Sequence, residues 1–280
     1  MTTPHATAYI DHLTRERRPP NTIAAARRVL RSLPDADTAT REDVEAWWAS
    51  RAHLSPATRS NDLAILRTFY AWCRRWEHRD DDPTLRIDAP KVPRGLPRPM
   101  SRADLTRLLP TLPDDLRRAV CLGAYGGLRV SEASALTWLD VDLETRRIRV
   151  LGKGGKTRLV GMSPLLLDEL LPDTGGNVVA AGGTPYSAAA LQRRVNRAIR
   201  AAGVDCTYHQ LRHRFGTVAL AATGNLLAVS RAMGHASPAT TAIDAATSDA
   251  DLDVIADAVT REAPRKDFWR APLRTTPRHV

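Results

Sequence analysis

DLETRRIRVLGKGGKTRLVGM, residues 142–162, interrupts a chain of 280 residues that otherwise reads as helical. Two short runs in it, Arg147–Leu151 and residues 157–160, alternate apolar and polar side chains with the period of two that half-buried strands require. Glycines separate the runs, so the pattern predicts a β-hairpin with Lys153 at its turn. The fold class that follows is mainly α, with one small β-sheet or hairpin.

GKGGKT within the same stretch invites a phosphate-loop reading. That loop needs a glycine five residues before the Gly155–Lys156 pair, and Val150 stands there. A strand follows the lysine where the motif requires a helix. Nucleotide hydrolysis is therefore set aside, and what remains is a turn lysine able to deliver a proton to a leaving oxygen.

Upstream, the first ~80 residues read as a helical bundle from their start signals and spacing. Thr22 and Thr40 are expected N-caps, and Thr40 with Asp43 forms an acidic capping box. Ser55 and Pro56 open the longest helix. Along it Leu66, Phe69, Tyr70, Cys73 and Trp76 recur at helical spacing as one buried stripe. Arg67, Arg74 and Arg75 lie off the stripe, where they could meet phosphate or merely solvent.

Residues 80–100, DDDPTLRIDAPKVPRGLPRPM, carry four prolines after Pro83. Such density cannot continue a helix and predicts an extended linker. The expected organisation is a helical domain over 1–82, a linker over 83–100, a second domain over 101–260 and a basic tail over 261–280. Ser101 and Asp104 restart helix, and further helices are expected near 164–171, 187–202, 209–222, 226–233 and 251–259.

The net charge of +10 points to a polyanionic partner, with nucleic acid ahead of acidic membrane. Cys73, Cys121 and Cys206 are scattered and odd in number, as suits reduced thiols inside a cell. No segment approaches the ~20 apolar residues of a membrane span. The expected location is cytoplasmic.

Three further stretches could carry chemistry. In GLRVSE (127–132) two adjacent glycines, at 126 and 127, let the chain turn between helices and place Arg129 at the start of the second. A guanidinium fork there suits phosphate, while an Arg129–Glu132 brace between helices is an equal reading. In YHQLRHRFGT (208–217) His209 and Arg212 share a helix face. His209 and His213 could instead ligate a metal, but the zinc-peptidase motif needs Glu after the first histidine and Gln210 follows. In GHASPATTAIDAATSDA (234–250) His235 follows a glycine where a helix ends.

GLRVSE, GKGGKTR, HQLRH and GH before a TT-containing segment, in this order and spacing, resemble the tyrosine recombinase (phage integrase) family, of small two-domain, Xer-like size. The resemblance covers the second domain and, more loosely, the helical bundle, which is similar to the family's core-DNA-binding (SAM-like) domain. It implies a C-shaped two-domain clamp on double-stranded DNA core sites and a homo-tetramer assembled on DNA, with no cofactor and no metal. An accessory directionality protein is compatible with it. The family cleaves and rejoins DNA through a 3′-phosphotyrosine. On that basis Arg129 and Arg212 hold the phosphate, Lys153 protonates the leaving oxygen and His209 manages protons. His235 bonds a non-bridging oxygen and Glu132 supports from behind. Arg67, Arg74, Arg75, Lys156 and Arg158 are DNA-contact candidates.

One position departs from the family. Its nucleophilic tyrosine follows the GH histidine by nine residues, and counting from His235 gives Asp244. Tyr208 is the last tyrosine of the chain and stands outside that segment. The implied activity is DNA strand transfer of the mobile-element or phage-integrase type, with this chain deficient in cleavage while still binding DNA. A natural non-catalytic binding or synapsis paralogue and a Xer-type chromosome-dimer resolvase are the alternatives. A metal-dependent nuclease using His209, His213 and Asp244 is a third, open to test with a chelator. The helix after Asp244, with Leu252, Ile255 and Val259 on one face, resembles the family's C-terminal segment, which packs onto a neighbouring protomer; folding back onto its own domain is the alternative, and the short connection permits both.

Overall fold

The computed structural model describes residues 3–92, 98–152, 155–170, 176–234 and 249–261. The chain divides into two compact units, Met1–Gly95 and Leu96–Val280.

The first unit is helical: α1 (Pro4–Arg15), α2 (Pro20–Arg31), α3 (Arg41–Ser50) and α4 (Pro56–Arg75). Proline at the first helical position and a preceding Ser or Thr set several starts. Thr40 and Asp43 close a reciprocal capping box on α3, and Ser55 caps α4 through the Thr58 N–H. Thr22, expected as a cap, lies inside α2, because that helix starts two residues earlier at Pro20. α4 lays Leu63, Leu66, Phe69, Tyr70 and Cys73 into the core with no exposed surface. Trp76 does not join that stripe and is 55% exposed, since the helix ends at Arg75 and Trp76 is its C-cap. Burial pushes the Cys73 thiol up to about 12, so it stays protonated.

The proline-rich stretch is anchored at its start and its end. Thr84 and Ile87 are buried with the first unit, and Met100 is buried in the core of the second.

The second unit contains α5 (Arg102–Leu108), α6 (Asp114–Gly126), α7 (Val130–Ala135), β1 (Val141–Asp142), β2 (Arg147–Leu151) and β3 (Thr157–Gly161). They are followed by α8 (Pro164–Glu169), β4 (Ala180–Ala181), β5 (Thr184–Pro185), α9 (Ala188–Ala201), α10 (Tyr208–Thr223), α11 (Leu226–Met233) and α12 (Asp249–Arg261). The expected hairpin is present as β2 and β3, antiparallel with Arg149 opposite Leu159. β1 adds a third strand, too short for its alternation to show in sequence. The second unit is thus mainly α, with a small three-stranded antiparallel sheet and a separate two-stranded one, β4 with β5.

α6 and α10 form the central pair of this unit. Residues 119–126 of α6 are all buried, and α10 contributes Leu211, Phe215 and Ala219. α12 packs on the same core through Leu252, Ile255 and Val259 and touches α10, β3, α6 and α8. Of the two placements open in the sequence, this is the fold back onto its own domain. An apolar stripe is satisfied by the first surface that removes it from water, and here its own domain supplies that surface. An ion pair from Arg147 to Asp253 at 2.9 Å ties α12 to the sheet.

Candidate functional site: a guanidinium cluster at the end of a helix

α6 ends on Gly127, whose φ of +65° is the left-handed geometry that closes helices. A Cβ there would sit 2.5 Å from the Phe215 ring, so glycine also lets the α6–α7 turn lie against α10. Arg129 then takes the N-cap position of α7. Its backbone N–H donates to Glu132 Oε2 at 2.7 Å, and its Nη1 donates to Glu132 Oε1 at 2.9 Å. The Arg–Glu brace between turn and helix is therefore real.

Glu132 holds more than Arg129. Arg158, from β3, grips both carboxylate oxygens, Nη1 to Oε1 and Nη2 to Oε2, each at 2.9 Å. Arg212, from α10, places Nη1 3.7 Å from Oε2. Three guanidiniums thus surround one carboxylate whose side chain is 5% exposed. Burial pushes the Glu132 pKa up, but hydrogen bonds from Arg158 and from the Arg129 backbone outweigh it, and the net direction is down. Arg212, 2% exposed, is itself lowered to about 10, by burial first and by the neighbouring Arg129 second.

The same three arginines close the C-terminal end of α11. Arg158 Nε donates to Ala232 O at 2.8 Å, Arg212 Nη2 donates to Met233 O, and Arg129 Nη2 donates to Gly234 O at 3.1 Å. Three successive carbonyls, left without helical partners at a helix end, each receive one guanidinium. The negative end of the helix dipole reinforces the arrangement. Gly234 terminates α11 with φ +65°, and a Cβ on it would lie 3.0 Å from Arg158 Nη1. Arg212 Nη1 also donates to Gly127 O at 2.6 Å, which joins the α6–α7 turn to the α11 end.

His209 occupies the first turn of α10, one turn before Arg212, and is exposed. Its pKa is lowered, by partial desolvation of the ring first and then by His213, Arg212 and Arg129. The two histidine rings lie 4.4 Å apart, edge to face. Among the described residues no group of three potential metal ligands occurs.

The structure thus brings Arg129, Glu132, Arg158 and Arg212 together, with His209 close enough to feel their charge. Lys153, His235 and Asp244 lie outside the described residues. Lys156 is exposed, and its carbonyl accepts from Gly152 N at 2.8 Å to close the hairpin. Arg67, Arg74 and Arg75 are exposed on α4, and Arg67 donates to Ile87 O at 2.5 Å. Arg158, a DNA-contact candidate, has its fork on Glu132. In β3 Arg158 shares the inward face with Val160 while Leu159 is 48% exposed, the reverse of what an apolar–polar alternation in the sequence indicates.

All five tyrosines have structural positions. Tyr208 is buried and donates to Ala119 O at 3.1 Å. Tyr70 donates to Ala36 O and Tyr186 to Asp115, while Tyr9 and Tyr125 are buried in the two cores. None is presented to a ligand at the guanidinium cluster.

Comparison with known proteins agrees with the geometry. The model of the phage integrase family matches residues 100–250. Tyrosine recombinase XerC of Xanthomonas campestris pv. campestris (strain B100) is 34% identical over 232 residues, covering 77% of this chain and 72% of the relative. Tyrosine recombinase XerD of Xanthomonas axonopodis pv. citri is 36% identical over 224 residues, covering 70% and 73%. Among solved structures, a lambda integrase dimer bound to a COC' core site superposes with a TM-score of 0.70 at 17% identity, covering 83% of this chain and 94% of that one. The Tn1549 transposon integrase in complex with transposon right end DNA gives 0.64 at 19%, covering 85% and 92%. The chain belongs to the phage integrase, or tyrosine recombinase, family.

Proposed function

We propose that this chain is a site-specific DNA-binding member of the family, of the mobile-element integrase type, which holds the scissile phosphate of a core site but does not cleave it. The observation that carries the reading is the pairing of Arg129 and Arg212 around Glu132. Each guanidinium has five N–H donors, and among the described residues two of each are engaged by protein acceptors. The remaining donors suit a phosphodiester gaining charge in its transition state. The family resemblance adds Lys153 and His209 for proton transfer and His235 for a hydrogen bond to a non-bridging oxygen.

The loss of cleavage follows from Asp244 at the tyrosine position. A carboxylate is several ångströms shorter than a phenol, and its attack on phosphorus would give an acyl phosphate labile to water. As an anion at neutral pH it would also compete with DNA for Arg129 and Arg212. Assembly of four protomers on paired core sites is supported by the fold shared with a lambda integrase tetramer bound to a Holliday junction, at a TM-score of 0.69. A Xer-type role is a second reading, favoured by the XerC and XerD relatives.

The test is binding to duplexes selected from a random pool. Tight binding that weakens steeply with salt and ignores a chelator supports the reading. Chelator-sensitive nicking would replace it with a metal-dependent nuclease.

A further inference from the structure

Three guanidiniums converge on Glu132, and Arg158 is the one with no assigned part in the reaction. It is also the one whose fork is most fully engaged. Nε, Nη1 and Nη2 all donate, to Ala232 O, Glu132 Oε1 and Glu132 Oε2, and the side chain is 11% exposed. Its bidentate grip occupies both oxygens of the carboxylate, in the geometry that distinguishes arginine from lysine.

That grip bears on what Arg212 can do. Arg212 Nη1 stands 3.7 Å from Glu132 Oε2, outside hydrogen-bonding distance, while Arg158 Nη2 sits on the same oxygen at 2.9 Å. With Arg158 in place, Glu132 supplies Arg212 with a nearby counter-charge but does not take its N–H groups. Without Arg158, the carboxylate is free to turn and pair fully with Arg212 or Arg129, withdrawing donors from a phosphate. Arg158 also ties β3 to α11 through Ala232 and packs against Gly234, next to His235.

We propose that Arg158 is a positioning residue: by bridging Glu132 to the end of α11 it keeps that carboxylate from taking the remaining N–H donors of Arg129 and Arg212, and it does not itself contact DNA. This deepens the functional reading above and rests on it.

The test uses the Asp244→Tyr chain on a nicked suicide duplex carrying a bound core site, read as single-turnover formation of a covalent adduct. Arg158→Lys keeps the charge but loses the fork. The expected result is a rate lowered by roughly 30-fold or more, with duplex affinity within about threefold and the salt slope unchanged. A lysine variant as fast as the parent, with Arg158→Gln lowering the salt slope by about one, would make Arg158 a phosphate contact and overturn the proposal. Because Arg158 acts through Glu132, its loss and that of Glu132→Gln should combine without adding; additive losses also overturn it.

If Arg158→Lys lacks a melting transition, the charge-neutral pair Glu132→Gln/Arg158→Gln replaces it. Slow capture with retained affinity supports the bridge, and a rate within about threefold of the parent overturns it. Should the Asp244→Tyr parent form no adduct, the functional reading is what fails. The bridge is then read in the unaltered chain by NMR of the Arg129 and Arg212 Nε–H groups. Displacement by Arg158→Lys supports it, and unchanged resonances overturn it.

Discussion

Arg129 donates its Nη2–H to the carbonyl oxygen of Gly234 at 3.1 Å, although 105 residues separate them along the chain. The contact joins the first sequence block of the site to the last described one. It sets the backbone immediately before His235 against a guanidinium that Glu132 already holds. A frame of one carboxylate and one helix end therefore orients three cations before any DNA arrives. Preorganised donors of this kind need no rearrangement as charge develops on a phosphate.

Removing the anion at the centre should be costly. Glu132→Gln leaves three guanidiniums without their shared counter-charge, and breaking a buried ion pair from one side costs roughly 3–5 kcal/mol. Denaturant unfolding of the second unit should show that loss, and a change below about 1 kcal/mol would mean the cluster is solvated. The sign with pH follows from a folded-state pKa below the ordinary 4.5. The contribution is present above 4.5 and disappears as pH falls through the lower folded value.

His209 should titrate below the ordinary 6.5. Its unfolded form binds a proton first, so its effect on stability is most favourable above 6.5 and erodes as pH falls below it. A ring-proton NMR titration of the free chain should place the midpoint under 6.5. Bound DNA phosphate should move it upward, and His209→Asn should remove the corresponding slope from the pH–stability curve.

Gly127→Ala tests the turn that places Arg129. The left-handed backbone costs a side chain about 1–2 kcal/mol, and overpacking against Phe215 adds about 1–3. A total loss of about 2–5 kcal/mol is expected in chemical denaturation, and a neutral substitution would show that the turn and α10 have room to separate.

The first unit has its own buried carboxylate. Asp62 is fully buried and accepts from Arg28 at 2.6 Å and Arg51 at 2.7 Å. Burial raises its pKa, but the hydrogen bonds from Arg28 and Arg51 outweigh that and the net shift is downward from 3.8. Asp62→Asn should destabilise this unit by about 2–4 kcal/mol, less than a fully enclosed pair because Arg28 is half exposed. The contribution is present above pH 3.8 and is lost as pH falls below it, so the variant should show a flatter acid limb.

Much of the fold was legible because local signals were strong. The caps at Thr40, Ser55 and Ser101, the hairpin alternation and the α11 bounds all follow from short-range chemistry. What escaped depends on distant partners. Asp62 sits inside a helical pattern like any surface acid, and only Arg28 and Arg51, 34 and 11 residues away, reveal it as buried. Arg158 reads as a DNA-contact candidate, and nothing near it announces Glu132, 26 residues upstream. The α12 face was visible as apolar, but its choice between a neighbour and its own core is a tertiary decision.

The most direct measurement is covalent capture on nicked suicide DNA carrying a bound core site, comparing the chain as it stands with Asp244→Tyr. A denaturation-resistant protein–DNA adduct from Asp244→Tyr alone is the predicted result. It would fix position 244 as the nucleophile position and the aspartate as the cause of lost cleavage. An adduct from both chains would contradict the account and send the search for a nucleophile elsewhere.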